Sequence, residues 1–341
     1  MDHVAIDLGK TKSQICRRNS DGMIVKEGPF PTVELGGLMK DWAASRVVVE
    51  TCAEAFAVAD AARAHGHQVR VVPATRVKTL GVGARGVKSD RRDAQVLSEV
   101  STRIDLPSVH IPRQQSRDIK TLCSMRDGLV QSRTLLINTL RGWLRGQLQH
   151  VRSGAAYTFA RRVRQHFAQR SVMLPQYVVR QLEAIEQLTT ALQQADAEVK
   201  QAADQHEVAP RLMTTPGVGP VTALRMVSTL DTAERFSSAA QVGAYLGLTP
   251  GQKQSGSKHH RTGLTRAGVP HTRAALIQAA WVLRRRRPND PVVRWALQVE
   301  LRRGKQVAIV ALARKLAGIL YALWRDHSNY NAAKGARPLT D

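Results

Sequence analysis

At 341 residues the chain is too long for one ordinary core, so two or three domains are expected. With 43% hydrophobic but only 4% aromatic residues it can bury aliphatic, helix-favouring cores, which excludes a disordered chain. Lys plus Arg total 51 against 27 Asp plus Glu, and the self-repulsion of a formal +24 calls for a polyanion, nucleic acid being the commonest.

Val4-Ala5-Ile6 reads as a short apolar strand. Ser13 to Arg17 and Met23 to Lys26 flank Asn19-Ser20-Asp21-Gly22, whose turn chemistry predicts a hairpin. Leu35 to Ala44 predicts a helix, Arg46 to Glu50 a buried strand, Ala53 to His65 an alanine-rich helix, and Gln68 to Val72 a strand ended by Pro73. Strands alternating with helices point to an α/β region with a largely parallel sheet covered on both sides. Gly81-Val82-Gly83-Ala84-Arg85-Gly86 satisfies G-x-G-x-x-G, but no strand directly precedes it. It reads as a loop carrying Arg85 and Lys88.

Further on the pattern is helix alone. Leu182, Ile185, Leu188, Leu192, Ala195 and Val199 recur at three- and four-residue steps between Pro175 and Pro210. An amphipathic helix of about 30 residues follows, suited equally to an antiparallel hairpin within the chain and to an oligomeric coiled coil. Beyond about residue 211 the chain is again helical, with glycine-rich connections. Val307 to Trp324 is apolar nearly all round and predicts a buried helix; past His327 the tail is expected to fray. Arg235 to Asn289 holds ten Lys or Arg and no Asp or Glu, a prime stretch for phosphate contact. Three scattered cysteines, Cys16, Cys52 and Cys123, indicate neither a disulfide framework nor a zinc site. The start lacks signal-peptide character and no apolar run of about 18 residues is seen, so a reducing cytoplasm fits.

Four carboxylates stand out. Asp7 ends the first strand, Glu50 ends a Val-Val-Val strand, and Asp90 and Asp93 share one face at the start of a helix. Carboxylates at neighbouring strand ends and on an adjoining helix can converge, and their mutual repulsion is relieved by a divalent cation such as Mg²⁺ or Mn²⁺. Taken singly, each also reads as a helix-dipole acid, an arginine partner or a solvated strand end.

Thr215-Pro216-Gly217-Val218-Gly219-Pro220 joins two predicted helices, where backbone N–H groups can grip a DNA phosphate. Gly243 to Pro250 then leads into Gly251-Gln252-Lys253-Gln254-Ser255-Gly256-Ser257-Lys258-His259-His260-Arg261. Ser255 sits on a loop among cations able to hold a scissile phosphate, although such loops are commonly only loops. Gly217, Gly219, Lys253, Lys258, Arg261, Arg266 and Arg273 are the expected nucleic-acid contacts.

With these motifs in this order the chain resembles the DEDD transposases of the insertion-sequence family numbered one hundred and ten, relatives of the Piv-type DNA invertases. The resemblance runs from about Val4 to Arg325 and includes Arg302-Arg303-Gly304-Lys305 and Ala313-Arg314-Lys315-Leu316-Ala317. It implies a RuvC-like, RNase H-type fold over 1–110, with Asp7, Glu50, Asp90 and Asp93 as a metal-binding tetrad. It further implies a coiled-coil region over 111–207, a mainly helical Tnp domain with a helix-hairpin-helix element over 208–328, and a flexible tail over 329–341. In such enzymes the residue matching Ser255 attacks the DNA backbone and forms a transient phosphoserine. A structured bridge RNA pairs with donor and target DNA, and dimers assemble into tetramers in the bacterial, nucleoid-associated cytoplasm. Two departures are Thr51-Cys52-Ala53-Glu54 after Glu50, where the family has a small-Gly-aromatic run, and His271-Thr272-Arg273, where Leu-Arg is expected. The competing readings are a RuvC-like junction resolvase or nuclease, in which water attacks, and a non-catalytic nucleic-acid-binding protein.

Overall fold

The computed structural model describes residues 1–77, 89–255, 258–265 and 268–335, with the backbone alone for 252–262 and 334–335. The loop Gly81 to Gly86, together with Lys88 and Arg266, lies outside the described residues. The chain divides into two compact units, Met1–Pro112 and Arg113–Asp341.

In the first unit the described elements run β1 (Asp2–Asp7), β2 (Lys12–Arg18), β3 (Ile24–Pro31), α1 (Leu35–Lys40), β4 (Ser45–Glu50), α2 (Ala55–Ala64), β5 (Gln68–Val72), α3 (Ala74–Val77) and α4 (Asp90–Arg103). The five strands lie in the order β3-β2-β1-β4-β5. β1 pairs antiparallel with β2 and β2 with β3, whereas β1/β4 and β4/β5 are parallel. The sheet is therefore mixed, not largely parallel. The reason is connection length: the β1–β2 and β2–β3 links are short turns, which can only bring the chain back antiparallel, while β4 and β5 follow helices that carry the chain across. The predicted Asn19 turn is present, with Asn19 Oδ1 accepting from the Asp21 and Met23 N–H groups at 3.1 and 2.9 Å and Gly22 at φ +80°.

Alternation along the strands gives the sheet two apolar faces. Val4, Ile6, Val47, Val49, Val69 and Val71 pack with Leu35 and Met39 of α1 and with α2. Ala5, Val48 and Val72 face the other way, against Leu97 of α4 and Leu106. Both faces are covered, as the alternating pattern predicts.

The second unit is mostly helical: α5 (Gln114–Gly146), α6 (Phe159–Ala168), α7 (Gln176–Gln205), α8 (Ala209–Met213), α9 (Pro220–Leu230), α10 (Ala239–Tyr245), the hairpin β6 (Pro250–Ser255) and β7 (Lys258–Leu264), α11 (Pro270–Arg286), α12 (Pro291–Arg303), α13 (Lys305–Arg325) and α14 (Ala332–Gly335). The heptad-like helix α7 pairs with α5 inside the same chain. Ile119 and Cys123 near the start of α5 share a core with Val199 and Ala203 near the end of α7, and Ile137 to Leu144 share another with Val178 to Ile185. The two helices therefore run antiparallel.

α9, buried along Ala223 to Leu230, packs against α5, α7, α8 and α11, and α13 packs against α8, α10, α11 and α12. Arg225 of α9 reaches Asp127 of α5 in an ion pair that His271 Nδ1 joins at 3.3 Å. Thr272 is buried and shares a 2.7 Å hydrogen bond with Thr229. The departure at His271-Thr272 thus ties α11 to α5 and α9. Among the described residues, α13 is long and apolar enough to cross a membrane by length and composition, but 67% of that stretch is buried inside the unit, as the sequence expectation of a buried helix requires. The start of the tail is also tied down: Tyr330 N–H donates to Thr214 Oγ1 at 2.9 Å and its hydroxyl to Asp290 at 2.8 Å.

Candidate functional site

The carboxylates are positioned by how α4 lies on the sheet. His3 Nδ1 and Ser101 Oγ share a 2.8 Å hydrogen bond, and Arg18 Nε donates to Ser98 Oγ at 3.0 Å. The later half of α4 therefore lies over the start of β1, and since Ser98 Oγ also meets Cys16 Sγ at 3.2 Å, with Cys16 the register partner of Ala5, the helix runs antiparallel to that strand. From Ser101 back to Asp93 a helix climbs about 12 Å; from His3 to Asp7 a strand climbs about 13 Å. Asp93 comes level with Asp7. Ile6 pairs with Val49, so Asp7 and Glu50 follow side by side at the ends of strands about 4.8 Å apart. Asp90 opens the helix and is exposed, at the rim.

Asp93 is 4% exposed, and its Oδ1 is buried without a hydrogen-bond partner. A buried acceptor left so costs about 1–3 kcal/mol. Asp7 and Glu50 are half-buried and each interacts with neighbours. Among the described residues no three carboxylate, imidazole or thiol groups stand close enough together to hold a metal ion. The all-oxygen donor set and the orphaned Oδ1 fit a hard divalent cation in type and in place; the side chains as they stand do not close a ligand set.

The surrounding elements brace this sheet end. Ser13 Oγ and Thr32 Oγ1 lie 2.8 Å apart behind the loop that follows Asp7, and Thr32 Oγ1 donates to the Gly9 carbonyl at 2.7 Å. A Cβ on Gly9 would lie 2.2 Å from the Lys12 carbonyl oxygen, so the loop requires glycine. Beyond Glu50, Thr51 N–H donates to the Val72 carbonyl at 3.0 Å and Thr51 Oγ1 accepts from Ala74 N–H at 3.0 Å. That departure from the family pattern leaves the strand end well anchored. Ser89 caps α4 by accepting from Arg92 N–H, and Glu27 of β3 receives Arg91 and Gln95. The hydrogen bond from Arg91 holds the Glu27 carboxyl below its ordinary range.

Ser255 ends β6, and its register partner is Lys258. Its side chain, with those of Lys253, Lys258 and Arg261, lies outside the described residues. The segment that sequence reading treats as a loop is a two-stranded hairpin. It escapes pattern reading because Pro250 to Leu264 has no apolar alternation; the available signal was Gly256-Ser257, a pair favoured in two-residue turns. The feet of the hairpin are clamped. Thr265 N–H donates to the Thr249 carbonyl at 3.0 Å, Arg273 Nη1 donates to the Leu246 carbonyl at 3.2 Å, and Gly268, at φ +80°, lies where a Cβ would meet the Tyr245 carbonyl oxygen at 2.0 Å. Arg273 thus has a positioning contact inside the fold.

The glycine turn between α8 and α9 splits by role. Gly217, at φ +90°, backs onto α11, where a Cβ would lie 2.6 Å from the Ala279 carbonyl oxygen; Gly219 caps α9 with nothing within 4 Å of an added Cβ. Gly217 serves helix packing, and Gly219 is the open position of the pair. Sequence reading also passed over a second basic region, Gly128 to Leu182, for which the signal was a run of arginines free of acids.

Comparison with known proteins matches both units. A sequence model of DEDD transposases of the IS110 type matches residues 4–148, and one described as the transposase IS116/IS110/IS902 family matches 209–293. The transposase for insertion sequence element IS1111A of Coxiella burnetii is 28% identical over 96% of this chain and 90% of its own length. The transposase for IS1328 of Yersinia enterocolitica is 27% identical over 94% and 96%, and a probable family 20 transposase of Pseudomonas aeruginosa 27% over 97% and 98%.

Proposed function

The chain belongs to the IS110 family of DEDD transposases, and from that premise we propose that it exchanges DNA strands using Asp7, Glu50, Asp90 and Asp93 together with Ser255 as nucleophile. The observation that carries this reading is Asp93, a carboxyl buried with an orphaned oxygen level with the ends of β1 and β4. A chain selected only for stability gains nothing from such a group.

Asp7, Glu50 and Asp93 would hold Mg²⁺ or Mn²⁺, with Asp90 at the rim, once side-chain rotation closes the set. A divalent ion bound there supplies charge neutralisation at the attacked phosphate. Ser255 Oγ forms a bond to phosphorus, its proton leaves to solvent, and the bond from phosphorus to a deoxyribose oxygen breaks, with that oxygen taking up a proton. The phosphodiester count is conserved, so rejoining requires no external energy source. Lys253, Lys258 and Arg261, on the same hairpin, and Arg266 supply cations for the phosphate; Gly219 offers backbone N–H groups. By resemblance we further assign a structured guide RNA as partner, a dimer that pairs into a tetramer on DNA, the RuvC-like role to 1–110, the coiled-coil role to 111–207 and the Tnp role to 208–328.

The test is incubation of the full chain with element-end DNA, its co-purified RNA and Mg²⁺, followed by a denaturing gel. A covalent protein–DNA adduct is expected with the parent chain and with Ser257→Ala, and none with Ser255→Ala. An adduct that survives Ser255→Ala removes the serine role. Hydrolysed ends without any adduct favour a nuclease in which water attacks.

A further inference from the structure

One surface stands outside this chemistry. From Gly128 to Leu182 the sequence holds nine arginines and no Lys, Asp or Glu. These residues form the end of the α5–α7 pair that carries α6, built on a core of its own from Ile137, Leu144, Phe159, Val163 and Leu182. Arg141, Arg145, Arg152, Arg161, Arg170 and Arg180 are exposed, and Arg164 is the one of the nine paired with a described carboxylate, Glu186 at 3.2 Å.

Four of these arginines line one cavity of about 240 Å³, walled by Arg141, Arg145, Arg152 and Arg162 with His150, Leu144 and Phe159. Its wall is built, not incidental. Arg162 donates to the carbonyls of Arg152 at 2.5 Å and Ala155 at 3.0 Å. Gly154 makes room for it, since a Cβ there would lie 2.5 Å from Nη1. Arg141 and Arg162 lie 5.6 and 6.0 Å from the Phe159 ring centroid. A fold that gathers four like charges without a carboxylate among them is complementary to an anion. Guanidinium forks match phosphate oxygens in pairs, where lysines would act only as point charges.

Two aromatic rings in the same region stand in solvent: Tyr157 is 66% and Tyr177 61% exposed. Tyr157 precedes Phe159 of the cavity wall by two residues, and Tyr177 stands edge-on to Trp143, next to Leu144 in the chain. Exposed rings at the same end of the helix pair suit unpaired bases, whose faces are free to stack; in a duplex those faces are covered. The geometry points to a seat for a backbone phosphate of an unpaired DNA strand in the arginine cavity, with Tyr157 and Tyr177 receiving flanking bases. DNA is the polyanion this enzyme acts on, and strand exchange exposes unpaired stretches of it. The assignment needs neither Ser255 nor the carboxylates, so its failure leaves those roles untouched.

Fluorescence anisotropy of the full chain with an oligodeoxynucleotide of about 20 residues, its duplex and the RNA of the same sequence tests it. Against the parent chain, Arg145→Ala/Arg152→Ala is expected to weaken single-stranded DNA roughly ten-fold and lower the salt slope by about 0.7, the value for one phosphate contact. Tyr157→Ala/Tyr177→Ala is expected to cost single-stranded DNA at least about five-fold and the duplex less than two-fold. The lysine pair, Arg145→Lys/Arg152→Lys, should recover part of the loss, while Arg63→Ala, an exposed arginine of α2, binds as the parent does. A strand carrying 5-iodouracil should crosslink to the peptide holding Tyr157 or Tyr177, a readout independent of any variant. Losses under two-fold, equal losses for duplex, a larger loss for RNA than for DNA, or crosslinks confined to other peptides would each overturn the assignment.

Discussion

Asp93 and Ser255 stand on unlike supports. Asp93 lies at the end of a five-stranded sheet packed on both faces, on a helix pinned to β1, β2 and β3 by hydrogen bonds shared with His3, donated by Arg18 and accepted by Glu27. Ser255 lies at the end of a two-stranded hairpin, held at its feet by Thr265, Arg273 and Gly268. Two strands by themselves are marginal in water, so what orders the serine is the clamp below it. Apolar burial sets where the acids stand; a handful of backbone contacts sets where the strand of Ser255 begins.

The largest effect that sharpens this contrast is at Asp93. Asp93→Ala is expected to lower strand transfer about a hundred- to thousand-fold, the range for losing one preorganised electrostatic group. Its melting temperature should hold or rise, because a buried acceptor without a partner is removed. Stability falling in step with activity would make Asp93 a structural acid instead.

Next come two glycines, one for each support. Gly268→Ala forces a side chain onto a backbone at φ +80° and into the Tyr245 carbonyl, and Gly9→Ala drives a methyl into the Lys12 carbonyl. Each should cost about 1–3 kcal/mol. Gly268→Ala is expected to open the hairpin to limited proteolysis while leaving the melting of the first unit as it was; Gly9→Ala should do the converse. Identical proteolytic patterns would dissolve the distinction between the two supports.

The smallest effect concerns acid. The folded value for Glu27 lies below its ordinary value of about 4.3. Its contribution is thus fully present above that ordinary value and drains away as pH falls through the lower, folded one. Arg91→Ala should flatten the acid limb of a melting-temperature profile in that window and leave neutral pH little changed. An unaltered profile would mean that α4 is held by its apolar face alone.

Much of the first unit was legible in residue order. Val-rich alternation marked β1, β4 and β5, Asn19 to Gly22 marked the turn, and Ser89 before Asp90 marked a helix start. The antiparallel half of the sheet was not marked, since strand direction depends on where a short connection sends the chain. β6 and β7 were hidden because Pro250 to Leu264 carries no apolar period. Spacing around Leu182 and Ile185 announced a helix seam without naming its partner; the folded chain supplies α5.

Residue order by itself determined most helices and strands with a buried face, the segregation of charge, and where carboxylate and hydroxyl oxygens fall along the chain. These follow from local periodicity and composition, which act over a few residues. Tertiary structure alone decided that Asp93 comes level with Asp7 and Glu50, that Gly217 serves packing while Gly219 lies open, and that four arginines wall one cavity. Each of those depends on contacts between segments far apart in the chain, fixed only when whole elements pack and their backbones approach to within hydrogen-bonding distance.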